Sequence, residues 1–507
     1  MTSRVVVTGQ TGARPDAWHR FTRRLDSWWL RQEARLDDSH VDRLVPWALT
    51  GGLFVVLAAL ALARARSLDG AIDLSTYEQA AWLLRAGRSP MVTVTMDANV
   101  YAQQAAFIFA PLALLSRIFP TEPLLLTTQS FALAVGLVPL WRLARDEAAL
   151  RAGPALALCW AYALYPSLHN LNLDGFHPET FALPLLLVAI RATRREEWTT
   201  LWVCAGLIVL CRADLGLAVA GLGGLAWASG NRREGRAVVL AGVGYTALMG
   251  LVVQPLLGDG GAAHLSAFAS YGSSPWSVFG GMITHPAQVV GDLTRESGLE
   301  LTVTLLAPVL FLPLLAPRYL LPVAPLQALY FIGDVPRDAA FGQQTVAATA
   351  FVFAATAFAL ARLGRPGVER VRVDRRIVVA LMLASSLLFV RDAGSSPYRQ
   401  PWGWGGRDAA DQARLAAAEL LGPERSVRAS PSTLQPLTNR PQLYVLQLGD
   451  VPDPTVAVDG VDAVVLDQAD TTWTPAQAKV FAESLETLGF DLISDRDGIQ
   501  VFLRRPV

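Results

Sequence analysis

Ionisable side chains among apolar runs are costly, so where they occur they are the first places to look for chemistry. Three groups stand out. Asp73 follows the first apolar run, in Gly70-Ala71-Ile72-Asp73-Leu74-Ser75. Asp174, His177 and Glu179 crowd into Asp174-Gly175-Phe176-His177-Pro178-Glu179. Arg212 and Asp214 interrupt the apolar stretch from Thr199 to Ser229. A carboxylate at a membrane interface can take the proton of an acceptor hydroxyl. His177 and Glu179 are candidates to hold a hard divalent cation, Mg or Mn. An arginine such as Arg212 can clamp a phosphate. The set suits transfer from a lipid-phosphate donor, and it equally suits proton- or anion-coupled transport. Each group also has a plainer explanation. Asp73 can cap a helix over Leu74–Ala86. His177 and Glu179 can start the next helix with Pro178 near its first turn. Arg212 and Asp214 can be an ion pair that holds a turn.

The elements that must carry these residues are membrane helices. Of the 507 residues, 52% are hydrophobic and only 17% are charged, against about 25% charged in a soluble domain. Net charge is zero, so no basic balance draws the chain to nucleic acid. Cys159, Cys204 and Cys211 lie in apolar runs without metal-ligand spacing and read as small buried residues. The polar tail 1–45 carries Arg20, Arg23, Arg24, Arg31, Arg35 and Arg43, which places it on the cytoplasmic side. Pro46–Ala63 then leads out as an uncleaved first span.

Arginine pairs or clusters recur at alternate span ends: Arg142 and Arg145, Arg194 and Arg195, Arg232 and Arg233, then Arg362 and Arg365. This alternation predicts about eleven spans between 46 and 390. They include Pro123–Trp141, Pro154–Leu168, Thr180–Ile190, Thr199–Cys211, Leu215–Ser229, Ala237–Leu256, Leu299–Ala316, Tyr319–Ile332, Thr345–Ala361 and Ile377–Val390. The first outer loop, 64–122, is long, and Tyr101–Phe119 within it reads as one helix lying at the outer interface. All three polar groups then fall near the outer ends of spans. The runs flanking Arg212 are shorter than the roughly 20 residues needed to cross, so a water-filled cavity open to the outside would accommodate them. Residues 391–507 read as a small extracytoplasmic α/β domain. Its expected pieces are helices Asp408–Leu421 and Pro475–Leu488, strands Ser426–Ala429, Leu443–Leu446 and Ala463–Leu466, and a hairpin turning at Asp495-Arg496-Asp497-Gly498.

The run Ile72-Asp73-Leu74-Ser75-Thr76-Tyr77-Glu78-Gln79-Ala80-Ala81-Trp82, the segment from Gln129 to Arg145, Tyr165-Pro166, Phe176-His177-Pro178-Glu179 and the closing Asp495-Arg496-Asp497-Gly498 together resemble the membrane proteins of domain-of-unknown-function family 2079. That family looks like a branch of the C-type glycosyltransferase (GT-C) superfamily, whose members take sugars from polyprenyl-phosphate carriers and place the catalytic acid in the first extracytoplasmic loop. Asp73 occupies that position. The family often shows Lys-Glu-Asp where this chain has Arg212-Ala213-Asp214. The loss of the middle carboxylate argues against a metal at that point.

The resemblance implies a multi-pass glycosyltransferase of the bacterial plasma membrane. Its tail and active site would be extracytoplasmic and its donor a polyprenyl-phosphate sugar. Asp73 would be the acceptor-activating acid, and Gln79, Trp82, Asp174, His177, Glu179, Arg212 and Asp214 would line the substrate. The rivals are a transporter for a lipid or small anion and a non-enzymatic membrane scaffold.

Overall fold

A computed structural model describes residues 38–506, apart from 69–71, 95–97, 259–266, 334–341, 343, 364–374, 393–395, 400–402, 447–452 and 472. Most of the arginine-rich tail, and Arg365 farther along, therefore lie outside the described residues. Helix α1, Ser39–Arg66, starts where the Asp38 carboxylate accepts from the His40 N–H and ends with Arg64 and Arg66 in its last turn. Helix α2, Ile72–Arg85, opens the long connection between α1 and the next long helix. Asp73 lies within the first turn of α2, so the expected cap role is not its position. A two-strand hairpin follows, β1 Met91–Val92 against β2 Ala98–Asn99.

Beyond it, the single interfacial helix expected over Tyr101–Phe119 is two short ones, Val100–Gln104 and Phe109–Leu115. Ala105 separates them in the left-handed region, with φ 52°. Neither piece is long enough to cross a bilayer. Leu114, Ile118 and Phe119 are left exposed, as suits an interfacial element.

Helix α3, Thr121–Glu147, packs along α1, with Leu53 and Leu57 in one core with Leu133, Leu137 and Leu140. Their ends are tied by Arg145, whose Nε and Nη2 donate to the Asp42 carboxylate at 2.7 and 3.0 Å. The two predicted cytoplasmic termini thus meet. Next come α4, Ala182–Arg195, α5, Trp198–Val209, α6, Gly216–Ala228, and α7, Arg232–Leu257. Helices α8, Ala324–Ile332, and α9, Thr345–Arg362, follow.

Among the described residues, α3, α7, α9 and residues His40–Arg66 of α1 are long and apolar enough to cross a membrane, while α5 and the Ala213–Ala228 helix are shorter apolar helices. Proline accounts for other departures from uninterrupted spans. Pro154–Leu168 divides into Ala152–Ala163 and Pro166–Leu173, because Tyr165, ahead of Pro166, is driven to extended backbone. Leu299–Ala316 is helical only to Leu306 and then turns through Ala307–Val309 and Leu312–Leu315, with Leu310 and Phe311 at positive φ. Pro308 and Pro313 remove the N–H groups a continuing helix needs.

After the helix Arg375–Asp392 comes the C-terminal α/β unit. Helix α10, Ala409–Leu421, begins in a reciprocal cap between Asp408 and Asp411. Strands β3 Val427–Ala429, β4 Leu443–Val445 and β5 Ala463–Asp467 precede α11, Pro475–Thr487, and the hairpin β6 Phe490–Arg496 and β7 Ile499–Arg504. The sheet order is β4-β3-β5-β7-β6, parallel across β4-β3-β5 and antiparallel from β5 to β6. The hairpin turns on Asp497 and Gly498, both at positive φ, as a tight two-residue connection requires.

The sheet has two apolar faces with different covers. Val464, Leu466 and Phe502 pack with Phe481 and Leu485 of α11. Val427, Ala429, Leu443, Val465 and Val501 share a core with α10, with Leu74 and Tyr77 of α2, and with Phe109 and Phe176. The C-terminal sheet is therefore packed onto the connection that carries Asp73.

Candidate active site

The 171–177 segment is positioned from α3. Gln129, fully buried, donates to the Leu171 and Gly175 carbonyls at 2.9 and 2.8 Å and accepts from the His177 N–H at 2.6 Å. Beside it, Ser130 donates to Asn172 Oδ1, and Asn172 donates to the Leu57 carbonyl on α1. Gly175 takes φ +94°, a conformation that favours glycine, and the chain then doubles back into the short 3-10 turn Pro178–Phe181. The His177 ring does not cap that turn. It is buried between two carboxylates, with Nδ1 3.9 Å from Asp73 Oδ2 and Nε2 3.9 Å from Asp174 Oδ2. Nε2 also lies 3.0 Å from the Asp174 carbonyl.

Asp73 is open to solvent on one side, its side chain 41% exposed, and walled by protein on the others. That walling withdraws water and raises its carboxyl above the ordinary carboxylate value, while the nearby His177 opposes the rise.

Arg212 lies at the break between α5 and α6, in extended backbone before the turn Ala213–Leu215. Its Nη1 donates to Glu179 Oε1 at 2.9 Å, and its Nη2 pairs with Asp214 Oδ2 at 2.9 Å. Tyr330 on α8 donates to the same Asp214 oxygen at 2.8 Å and lays its ring under the guanidinium. The Glu179 side chain is 1% exposed. Glu179 Oε2 and Asp214 Oδ1 are buried and have no hydrogen-bond partner. Two groups result, Asp73–His177–Asp174 and Glu179–Arg212–Asp214, joined through the chain at His177-Pro178-Glu179, and Asp73 feels the charges of Glu179 and Arg212.

A cavity of about 700 Å³ opens on Arg212 and Asp214. Its wall is mainly apolar, with Val243 and Leu251 of α7 and Trp276, Phe279 and Met282 of the helix Pro275–Thr284.

Gln79 and Trp82 are not brought to this cluster. On α2 they lie about 240° and 180° around the helix from Asp73, at 100° per residue. Gln79 donates to Thr93 Oγ1 at 2.9 Å and accepts from the Thr93 N–H at 3.1 Å. Thr93 in turn bonds the backbone of Leu443 in β4, so Gln79 braces the seam with the C-terminal sheet. The Arg88 guanidinium covers the Trp82 ring at 5.8 Å.

His177 and Glu179, the pair expected to hold a divalent cation, meet other partners here. Glu179 Oε1 is engaged by Arg212, and Asp73 and Asp174 face opposite edges of the imidazole. Among the described residues no three His, Cys, Asp or Glu side chains gather as a ligand set.

Tyr330, Gln104 and the cavity wall were not singled out in the sequence. Tyr330 is one aromatic in an apolar run, and nothing local distinguishes it. A glutamine inside an apolar stretch, as at Gln254, was the available signal for the cavity.

Residues 64–501 match the family described as predicted membrane protein (DUF2079), and the chain belongs to that family. No curated protein matches it. Two crystal structures of ArnT from Cupriavidus metallidurans share its fold. The one bound to undecaprenyl phosphate has a TM-score of 0.52 at 13% identity, covering 90% of this chain and 99% of that chain. The apo structure has a TM-score of 0.51 at 12% identity, with the same coverage. At this identity the likeness is one of fold.

Proposed function

We propose that this DUF2079 member is a glycosyltransferase that moves a sugar from a polyprenyl-phosphate donor to an acceptor at the extracytoplasmic face of the membrane. One juxtaposition carries the reading: an apolar cavity of about 700 Å³ ends on Arg212 and Asp214, and Arg212 bonds Glu179, two residues along the chain from the His177 that faces Asp73. An isoprenoid chain suits the apolar wall, and its phosphate needs a cation where that wall ends. ArnT binds undecaprenyl phosphate on the same fold, which supports the same donor class.

In the transfer, the acceptor's hydroxyl oxygen bonds to the anomeric carbon as the bond from that carbon to the phosphate oxygen breaks. Asp73 takes the hydroxyl proton, and its raised carboxyl makes it a stronger base than an ordinary aspartate. The polyprenyl phosphate leaves with the electron pair, and Arg212 offsets the charge it gains. Arg212 already meets two carboxylates, so the phosphate must share it. Asp214 lines the cavity and keeps 17% exposure against 1% for Glu179, which makes Asp214 the partner that yields.

The reading uses about eleven spans, a cytoplasmic N-terminus and an extracytoplasmic 391–507. A cysteine at exposed Glu486 should react with a membrane-impermeant maleimide in intact cells. Reaction only after the cytoplasm is opened would reverse the topology.

Asp73→Asn tests the chemistry. The variant should insert normally yet lose about 10²–10⁴-fold in transfer from a labelled polyprenyl-phosphate sugar. Unchanged turnover would remove Asp73 from the mechanism. A wild type inert toward a broad donor panel would favour the transporter instead.

A further inference from the structure

Several polar groups in the cavity are not used by the lipid chain, the phosphate or the proton transfer. Gln104 lines it, and its Oε1 accepts from the Tyr77 hydroxyl at 2.9 Å. A carboxamide has two donor hydrogens besides that acceptor, so fixing the oxygen leaves the amino group for the cavity. Gln344 lines the same space, and its buried Oε1 has no partner. Asp214 Oδ1 is buried there in the same condition. The segment carrying Gln104 is braced by Gln254, whose amide donates to the Ala102 and Gln103 carbonyls at 3.1 and 2.9 Å. Tyr77 sits one turn beyond Asp73 on α2, so one helix fixes both the acid and the amide.

Buried acceptors without donors are costly and rare in folded proteins, and an alkyl chain satisfies none of them. A polyhydroxylated ring does, because each hydroxyl both donates and accepts. We propose that Gln104, Gln344 and Asp214 Oδ1 form the subsite for the glycosyl group of the donor, with Tyr77 as a positioning residue. This rests on the polyprenyl-phosphate reading above and adds where the sugar is held.

The experiment compares binding of two probe types to the full-length protein in detergent by calorimetry. One is a short-chain polyprenyl phosphate, and the other is the same lipid carrying glucose, mannose or arabinose. The wild type should bind at least one glycosylated form more tightly than the bare phosphate. Gln104→Met should weaken that form roughly tenfold, the equivalent of one or two lost hydrogen bonds, and leave the bare phosphate unchanged. Tyr77→Phe should do the same by a smaller factor. Thermal melts matching the wild type would show that both variants fold, and if either does not, Gln344→Met replaces it. Equal losses for both probes, or none for either, would overturn the subsite while the donor reading stands. A wild type that binds neither probe would bring down the donor reading and the subsite with it.

Discussion

Arg212 is held by two carboxylates of which one, Glu179, is almost completely enclosed. Removing a single partner from a buried pair strands the remaining charge, which typically costs about 3–5 kcal/mol. Arg212→Met should therefore lower the melting temperature well beyond the effect of an exposed substitution. Adding Glu179→Gln should recover part of the loss, because the more deeply buried of the two stranded carboxylates is gone. A double variant no more stable than Arg212→Met would count against direct pairing.

Gln129 is a second sensitive residue with a different cause. Gln129→Leu leaves the Leu171 and Gly175 carbonyls and the His177 N–H without their partner, at about 1–3 kcal/mol for each buried group left unpaired. It should reduce both stability and transfer, and a variant as stable and active as wild type would show that the 171–177 loop is held by other means. The identities of the acids, the histidine and the arginine were legible because ionisable groups are conspicuous among apolar runs. Their pairing was not, because Arg212 and Glu179 are 33 residues apart in sequence and only the packing of α4 against α5 and α6 brings them together.

At the scale of elements, α6 and α7 approach closely through glycines. A Cβ on Gly242 would run into the Gly216 carbonyl and the Ala220 N–H, and one on Gly223 into the Val239 N–H and the Gly235 carbonyl. Small residues allow such close crossings in a bilayer, where packing rather than water expulsion drives association. Gly242→Leu should separate the two helices and disturb the Asp214–Tyr330 contact nearby, and the protein should elute aggregated or fail to accumulate. The same change at Gly244, where a Cβ meets nothing, is the control and should be tolerated.

Helix α2 carries a second acid besides Asp73. Glu78 is buried, its Oε2 has no partner, and burial next to Glu122 pushes its pKa up to about 8, opposed by Thr438 and Arg85. The folded state thus favours the protonated form. Stability is complete below the ordinary glutamate pKa of 4.5 and is lost as pH rises through about 8. Thermal melts between pH 5 and pH 9 (roughly the window set by that shift) should show a falling midpoint. Glu78→Gln should flatten it, and an unchanged slope in that variant would assign the pH dependence to other groups.

For the whole molecule, the C-terminal sheet and the membrane helices are joined by a shared core. Gln435 donates to the Ala65 carbonyl at the end of α1 and to Glu122 at the start of α3, and Arg407 donates to the Arg66 carbonyl. With the apolar face of β3, β4, β5 and β7 packed on α2 and Phe109, a fragment of residues 405–507 should keep mixed α/β circular dichroism but expose that face. It should bind an apolar dye and self-associate. A monomeric fragment silent to the dye would show that α10 covers the face unaided.

The sequence by itself determined the membrane class, the helices and strands of the C-terminal unit, the hairpin at Asp497-Gly498 and which ionisable residues stand among apolar runs. Apolar period, turn chemistry and charge are local properties, and local patterns report them. Tertiary structure alone decided which of those residues meet. It placed Gln79 on the seam and Gln104 at the cavity, although both lie between α1 and α3, because the docking of a sheet more than 300 residues away sets the direction of one and Tyr77 that of the other. It also set Asp73 within the first turn of α2 and, through the fold of the 171–177 loop, put His177 beside it.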